Sequence, residues 1–350
     1  NSGIQRTNTA VGNLVTNYKI LDNLTFRSLF GLDYRLLQGE SYRDPRTPDG
    51  AGVVGRASEQ SDWRTRFITT QTLNWNKSFN GVHNVSAILG VEYLSETREG
   101  ISGAGIGFPT FQFRTIQSAA TPESITGFWT GYRRASAFAS ANYDYKKKYL
   151  ATVTARYDGS SRFGANNRWG IFPSVSAGWV MSDEEFLKTN EKISFLKLRG
   201  SFGVTGNNNI GNYTQYALVN NTINHVFNNN VVPGAGLTSL ANANLGWETT
   251  KQFDMGIDLG LFDDRIQFMY DYYQKNTTNL LYSVQIPQES GFGSFNDNIG
   301  EIKFWGHEFS INTRNTDGRF KWTTSANISF NRNKVIALAD GIDRVYGSFH

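Results

Sequence analysis

Histidine is the side chain best suited to hold a metal or move a proton near neutral pH, and the chain has four, His83, His225, His307 and His350. They form no His-Glu-x-x-His stretch and no close pair, so zinc hydrolysis lacks its ligands. His83 and His307 share parity with apolar neighbours, which predicts rings at an interface rather than ligands. Cysteine is absent, excluding disulfides, thiolate metal sites and a Cys nucleophile. Asp263-Asp264, Asp183-Glu184-Glu185 and Asp317-Gly318 lack EF-hand spacing and fit turns. Gly103-Ala104-Gly105-Ile106-Gly107 and Gly291-Phe292-Gly293 have no following helix whose amides could cradle a phosphate, so both read as loops. No catalytic constellation, resident metal or cofactor is expected. Lys and Arg total 34 against 30 Asp and Glu, interspersed rather than gathered, so nucleic acid is not an expected partner.

Two groups of side chains remain as candidates. Arg64, Arg66, Arg156, Asp158, Arg199, Asp254, Asp258 and Glu301 lie on or near the polar faces of extended segments. They could meet a solute passing along those faces, or hold a hydrated wall through cross-strand pairs. Phe108, Phe111, Phe113, Trp129, Tyr213 and Phe227 fall in long links rich in Gly, Asn and Ser. They could stack on sugar rings or on a covering protein, or pack within their own loops.

The elements that carry these residues show period-two alternation. Phe253, Met255, Ile257, Leu259 and Leu261 share one face, with Gln252, Asp254, Gly256, Asp258 and Gly260 opposite. Ile266, Phe268, Tyr270 and Tyr272 repeat the pattern after the short link Phe262-Asp263-Asp264-Arg265, as a hairpin does. Phe320, Trp322, Thr324, Ala326, Ile328 and Phe330 form another such face, paired with a strand holding Phe309 and Ile311. Further hairpins turn at Leu21-Asp22-Asn23, Asn80-Gly81 and Lys146-Lys147-Lys148, and a less regular pair spans 175–180 and 196–204. About twelve strands in six hairpins result, with a helical turn expected within 183–191. Links between hairpins are long, at 36–62, 99–134, 206–248 and 278–298.

A mean hydropathy of −0.42 coexists with 14% aromatic residues. Strands with one apolar and one polar face account for both. Segments of ten or more residues tilted at about 45° match a hydrocarbon layer, and short turns alternating with long loops are the habit of transmembrane β-barrels. Tyr149 and Tyr157 bracket Ala151, Val153 and Ala155, as rings at two membrane interfaces would. The fold expected is all-β: an incomplete antiparallel transmembrane barrel with short periplasmic turns and long extracellular loops. Residues 1–350 open on Asn1-Ser2-Gly3 without an initiator Met, and 339–346 reads as a loop, so a section of a larger barrel is expected.

Particular strings then carry a resemblance. Tyr149-Leu150-Ala151 through Arg162-Phe163-Gly164, and Trp169-Gly170-Ile171-Phe172-Pro173-Ser174 through Ala177-Gly178-Trp179, resemble the barrel of SusC/RagA-type TonB-dependent outer-membrane transporters. So do Leu198-Arg199-Gly200-Ser201-Phe202-Gly203 with Thr205-Gly206-Asn207, Trp247-Glu248-Thr249-Thr250-Lys251-Gln252, and Tyr272-Tyr273-Gln274-Lys275-Asn276-Thr277. Asn298-Ile299-Gly300-Glu301 through Gly306-His307-Glu308-Phe309 completes the series, with Lys303-Phe304-Trp305 as a local departure. The resemblance implies a Gram-negative outer-membrane location in contact with lipid, and import of oligosaccharides or oligopeptides under a SusD-like lipoprotein lid. It further implies energy from TonB-ExbB-ExbD acting through an N-terminal plug and TonB segment that this chain lacks, together with the last barrel strands. A passive porin or adhesin, and a soluble β-rich carbohydrate-binding or hydrolytic protein, are the competing readings.

Overall fold

A computed structural model describes residues 1–338; His350 and the loop expected at 339–346 lie outside the described residues. Fourteen strands follow one another: β1 Ser2–Leu21, β2 Leu24–Arg43, β3 Arg56–Phe79, β4 His83–Ile106, β5 Thr121–Tyr145, β6 Tyr149–Ser160 and β7 Trp169–Val180, then β8 Ile193–Asn207, β9 Val219–Phe227, β10 Asn230–Leu237, β11 Glu248–Leu261, β12 Ile266–Gln285, β13 Ser294–Asp317 and β14 Lys321–Ala337. Twelve of them hydrogen-bond in the order β1 to β8, then β11 to β14, while β9 and β10 form a hairpin of their own. The six expected hairpins are all present. So is the helical turn, at Glu185–Lys188.

Alternation fixes the register. The β6–β7 rungs Tyr149↔Trp179, Ala151↔Ala177, Val153↔Val175 and Tyr157↔Ile171 carry the apolar side chains, and Thr152↔Ser176, Thr154↔Ser174 and Arg156↔Phe172 carry the other face. Exposure follows the same period, but in the reverse of a soluble sheet. Val153 is 57% exposed and Ile171 65%, whereas Thr152, Thr154 and Arg156 are half-buried. Only eight hydrophobic residues are buried among the described residues, far too few to be the core of a water-soluble domain of this length.

Contacts divide the chain into two compact units. The first comprises Asn1–Asn17, Arg27–Gln71 and Glu92–Ala135, with a small core of Tyr42, Ala57 and Phe108 against Ala119. The second comprises Tyr18–Phe26, Thr72–Val91 and the chain from Ser136 onward.

The sequence reading misplaced the strand ends. Strands β3, β4 and β13 run 24 residues and β5 runs 25, so much of what reads as loop at 36–62, 99–134 and 278–298 is strand. Crossing hydrocarbon takes about 9 to 11 tilted residues. Beyond that height both faces of a strand meet water, nothing enforces alternation, and the periodic signal disappears although the ladder continues.

Candidate functional site

The polar face of the second unit is built rung by rung. Pairing aligns Arg199 on β8, Gly256 on β11 and Asp271 on β12 across three adjacent strands. Arg199 reaches over the middle strand: its guanidinium donates to Asp271 (2.8 Å) and its Nε to Asp258 (3.2 Å). Gly256 makes this path open, because a Cβ there would stand 2.5 Å from Arg199 Cζ and 2.7 Å from Asp271 Oδ1. Asp254, two residues along β11 on the same face, accepts from Ser201 (3.3 Å) and Gln252 (2.8 Å). On β6, Arg156 donates to Asp158 two residues along (2.7 Å) and to Ser136 on β5 (2.8 Å), and its guanidinium lies 5.3 Å from the Phe138 ring. Five of the eight charged candidates, Arg156, Asp158, Arg199, Asp254 and Asp258, therefore sit on one face in networks of hydrogen bonds.

Glu301 is not with them. It pairs with Thr278 and accepts from Asn276 (2.6 Å), which puts it on the face of β12 and β13 that carries Trp305, His307 and Phe309. Glu301 lies four residues from Trp305 toward the Ser294 end of β13, where the side chains of this face have become polar, as Asn276, Thr278 and Lys303 show.

Arg64 and Arg66 belong to the first unit. Both lie on β3 at alternate positions, and Arg64 stands 3.8 Å from Asp33 of β2. The neighbouring Arg98 bonds Asp62 and Arg134 bonds Glu92 (3.0 Å), so basic and acidic groups again interleave. Further along this face a groove of 510 Å³ is floored by small residues including Gly39, Ser58, Ser102 and Ser124, with Arg56 and Glu40 at its edge.

The six aromatic candidates part company. Phe108 is 2% exposed and packs edge-on to Tyr42 (5.6 Å), inside the first unit's loop core. Phe111 lies under the Arg46 guanidinium at 3.5 Å, and Arg46 also holds Asp44, whose carboxyl the side-chain and backbone bonds from Arg46 keep far below the usual range. Phe113 is 53% exposed. Trp129 is a strand residue of β5, 59% exposed, and not a loop residue. Tyr213 has a left-handed backbone, φ 66°, and Phe227 ends β9 with 64% exposure.

Sequence reasoning passed over the best-packed side chains outside the sheet. Phe163 is fully buried against Trp247 (4.9 Å), Phe172 of β7 also packs edge-on to that indole (5.2 Å), and Trp247 donates to the Arg168 carbonyl (3.1 Å). Asn298 exchanges two hydrogen bonds with the Gly246 backbone, and Asn242 donates to Asn296 and Asp297. These asparagines tie the link before β11 to the start of β13. Their signal lay in the family-like strings, where Phe163, Phe172, Trp247 and Asn298 stand, rather than in any periodicity.

On the apolar face, rings run across adjacent strands near the short turns. His83 stacks with Tyr143 and Tyr145, Tyr145 with Tyr149, and Tyr149 with Trp179, at centroid spacings from 4.7 to 6.3 Å. Just beyond them Glu184 accepts from the Tyr149 hydroxyl (2.6 Å), the Trp179 indole (3.1 Å) and Lys148 (3.3 Å), donors that hold its carboxyl below the ordinary value. At the far end Tyr157 stacks on Trp169 (5.0 Å), so aliphatic residues lie between two levels of rings. No group of three or more His, Cys, Asp or Glu is gathered as a metal site would be, among the described residues.

Residues 1–347 match the family model described as TonB dependent receptor-like, beta-barrel. The chain is 37% identical over 342 residues to TonB-dependent receptor P3 of Formosa agariphila, covering 97% of this chain and 34% of that protein. It is 38% identical over 226 residues to TonB-dependent receptor SusC of Bacteroides thetaiotaomicron, covering 63% of this chain and 22% of SusC. The solved structure of the RagAB peptide transporter superposes with a TM-score of 0.91 at 26% identity, over 98% of this chain and 38% of that one. The chain thus spans about a third of the length of the curated relatives it matches. Reversed exposure, two ring levels and an ion-paired polar face agree with these likenesses: the chain belongs to the TonB-dependent receptor-like β-barrel family, in its SusC/RagA branch.

Proposed function

We propose that this chain forms part of the wall of a Gram-negative outer-membrane importer that takes up oligosaccharides or oligopeptides. The observation that carries the reading is the reversed face: exposed apolar side chains between two levels of rings, backed by hydrogen-bonded charges. Such a surface needs hydrocarbon on one side and water on the other. The remaining parts of the protein would supply a plug, a TonB-engaging segment and further strands, in keeping with relatives about three times as long. A SusD-like lipoprotein would close the outer end, and TonB-ExbB-ExbD would drive uptake. Peptide is the cargo named for the RagAB transporter, which supports the oligopeptide half of the proposal. The charged wall residues Arg64, Arg66, Arg156, Asp158, Arg199, Asp254 and Asp258 would face the lumen and shape the hydrated path. No step of this work makes or breaks a covalent bond.

Uptake of fluorescent oligosaccharides and oligopeptides by cells carrying the full-length gene tests this directly. Accumulation that stops with a proton uncoupler is the expected result. Uptake indifferent to the uncoupler would indicate a passive porin, and recovery of the protein in the soluble fraction would refute the membrane reading.

A further inference from the structure

Four short hairpin connections in the second unit place consecutive residues in the left-handed region, among them Phe262-Asp263-Asp264 between β11 and β12 (φ 54°, 54° and 58°). Two use the residues that tolerate it, Asn80-Gly81 (φ 52° and 68°) and Asn228-Asn229 (φ 50° and 60°). The fourth, between β5 and β6, uses Lys146 and Lys147, at φ 54° and 57°, closed by a Lys148 N–H to Tyr145 carbonyl bond of 3.0 Å. Turns of this type favour Asn-Gly because a Cβ is strained there. Strain of this kind persists where the surrounding structure holds it, and it clusters where side chains serve a function.

Their surroundings say for what. The Lys146 N–H bonds the Val82 carbonyl (2.7 Å), so this turn sits against the neighbouring Asn80-Gly81 turn. Both lysines are exposed and immediately follow the ring level of His83, Tyr143, Tyr145, Tyr149 and Trp179. Lys146 Nζ lies 5.3 Å from the Tyr145 ring, and Lys77, also exposed, lies 4.9 Å from the Phe79 ring on the adjacent hairpin. The nearby carboxylates are otherwise engaged: Asp144 accepts from Asn84 and the Lys147 backbone, and Glu184 from Lys148, Tyr149 and Trp179. Lys146 and Lys147 have no ion-pair partner among the described residues.

We propose that the Lys146-Lys147 turn, with Lys77 beside it, binds the phosphate headgroup of an acidic phospholipid in the inner leaflet of the outer membrane. The inference rests on the membrane reading above, which sets the rings at the hydrocarbon boundary and the turn at headgroup height. Rings anchor the height, and two ammonium groups one step further out meet the phosphate. Lys148, already paired, takes no part.

The test uses the full-length receptor inserted in nanodiscs of mixed phosphatidylglycerol and phosphatidylcholine, with bound lipid counted by mass spectrometry. In the Lys146→Asn/Lys147→Gly variant the turn relaxes, so the variant folds at least as well, yet enrichment of phosphatidylglycerol drops, by about fivefold for each lysine that contacts a phosphate. Lys148→Gln leaves enrichment unchanged. Equal enrichment in parent and double variant, or an equal loss in Lys148→Gln, would overturn the assignment. So would capture by purified peptidoglycan in place of lipid. Failure to recover the receptor in membranes would instead strike the membrane reading, and is scored before any lipid is counted.

Discussion

At the scale of single residues, the bridge over Gly256 makes a sharp prediction. Arg199 and its two aspartates are between 21% and 35% exposed, so solvent screens the pair and its net worth is modest, about 1 kcal/mol. The steric demand is larger. Gly256→Ala puts a methyl where the guanidinium lies, and should cost about 1 to 3 kcal/mol, seen as a lower temperature for loss of the folded gel mobility. Adding Arg199→Gln should remove part of that penalty, since one of the two colliding groups is gone while Asp271 remains; a purely additive pair would refute the bridge. Glu184 gives a second prediction. Hydrogen bonds from Tyr149, Trp179 and Lys148 lower its pKa from 4.5. A lowered carboxylate pKa contributes stability in full above the unfolded value and loses it as pH falls through the folded one. Thermal unfolding of the parent should therefore worsen on acidification below about 4.5 more steeply than that of Glu184→Gln, and parallel curves would sink the idea.

At the scale of elements, the question is which segments the sequence could announce. The six sheet hairpins were legible because hydrocarbon on one side and water on the other enforce strict alternation, as Phe253 to Leu261 shows. The outer halves of β2 to β5 and of β12 and β13 were not, because the same ladder continues where both faces are wet. The β9–β10 hairpin was missed for a related reason: Asn-rich sequence on both sides of Asn228-Asn229 carries little contrast between faces. The loop knot around Trp247 was invisible since Phe163 and Phe172, which pack on the indole, and Asn298, which bonds Gly246, lie far from residue 247 in sequence on either side. Because Phe163 is fully buried, Phe163→Ala should cost about 3 to 5 kcal/mol locally. Limited proteolysis should then cut within 161–168 and 208–247 while the sheet stays resistant. Cleavage spread evenly through the strands would show that the knot supports the sheet rather than the loops.

For the molecule as a whole, the decisive fact is which residues are hidden. A soluble sheet protects its valines and leaves its threonines wet; here Val153 and Val175 are 57% and 49% exposed, while Thr154 and Ser174 on the neighbouring rung are half-buried. Identical substitutions on adjacent residues therefore discriminate between solvents. Near the middle of the apolar band a lysine on the lipid face costs about 2 to 4 kcal/mol, so Val153→Lys should sharply reduce the yield of receptor folded into membranes. Thr154→Lys turns its side chain to the opposite face, beside Ser140, where water and polar groups can hold the charge, and should leave that yield near the parental value. Were the face carrying Val153 in water instead of lipid, the ranking would reverse: Val153→Lys would place its charge at an already exposed position, and Thr154→Lys would crowd the half-buried side of the sheet. The order of the two yields, measured in one membrane preparation, thus tests the lipid-facing assignment without knowledge of any substrate.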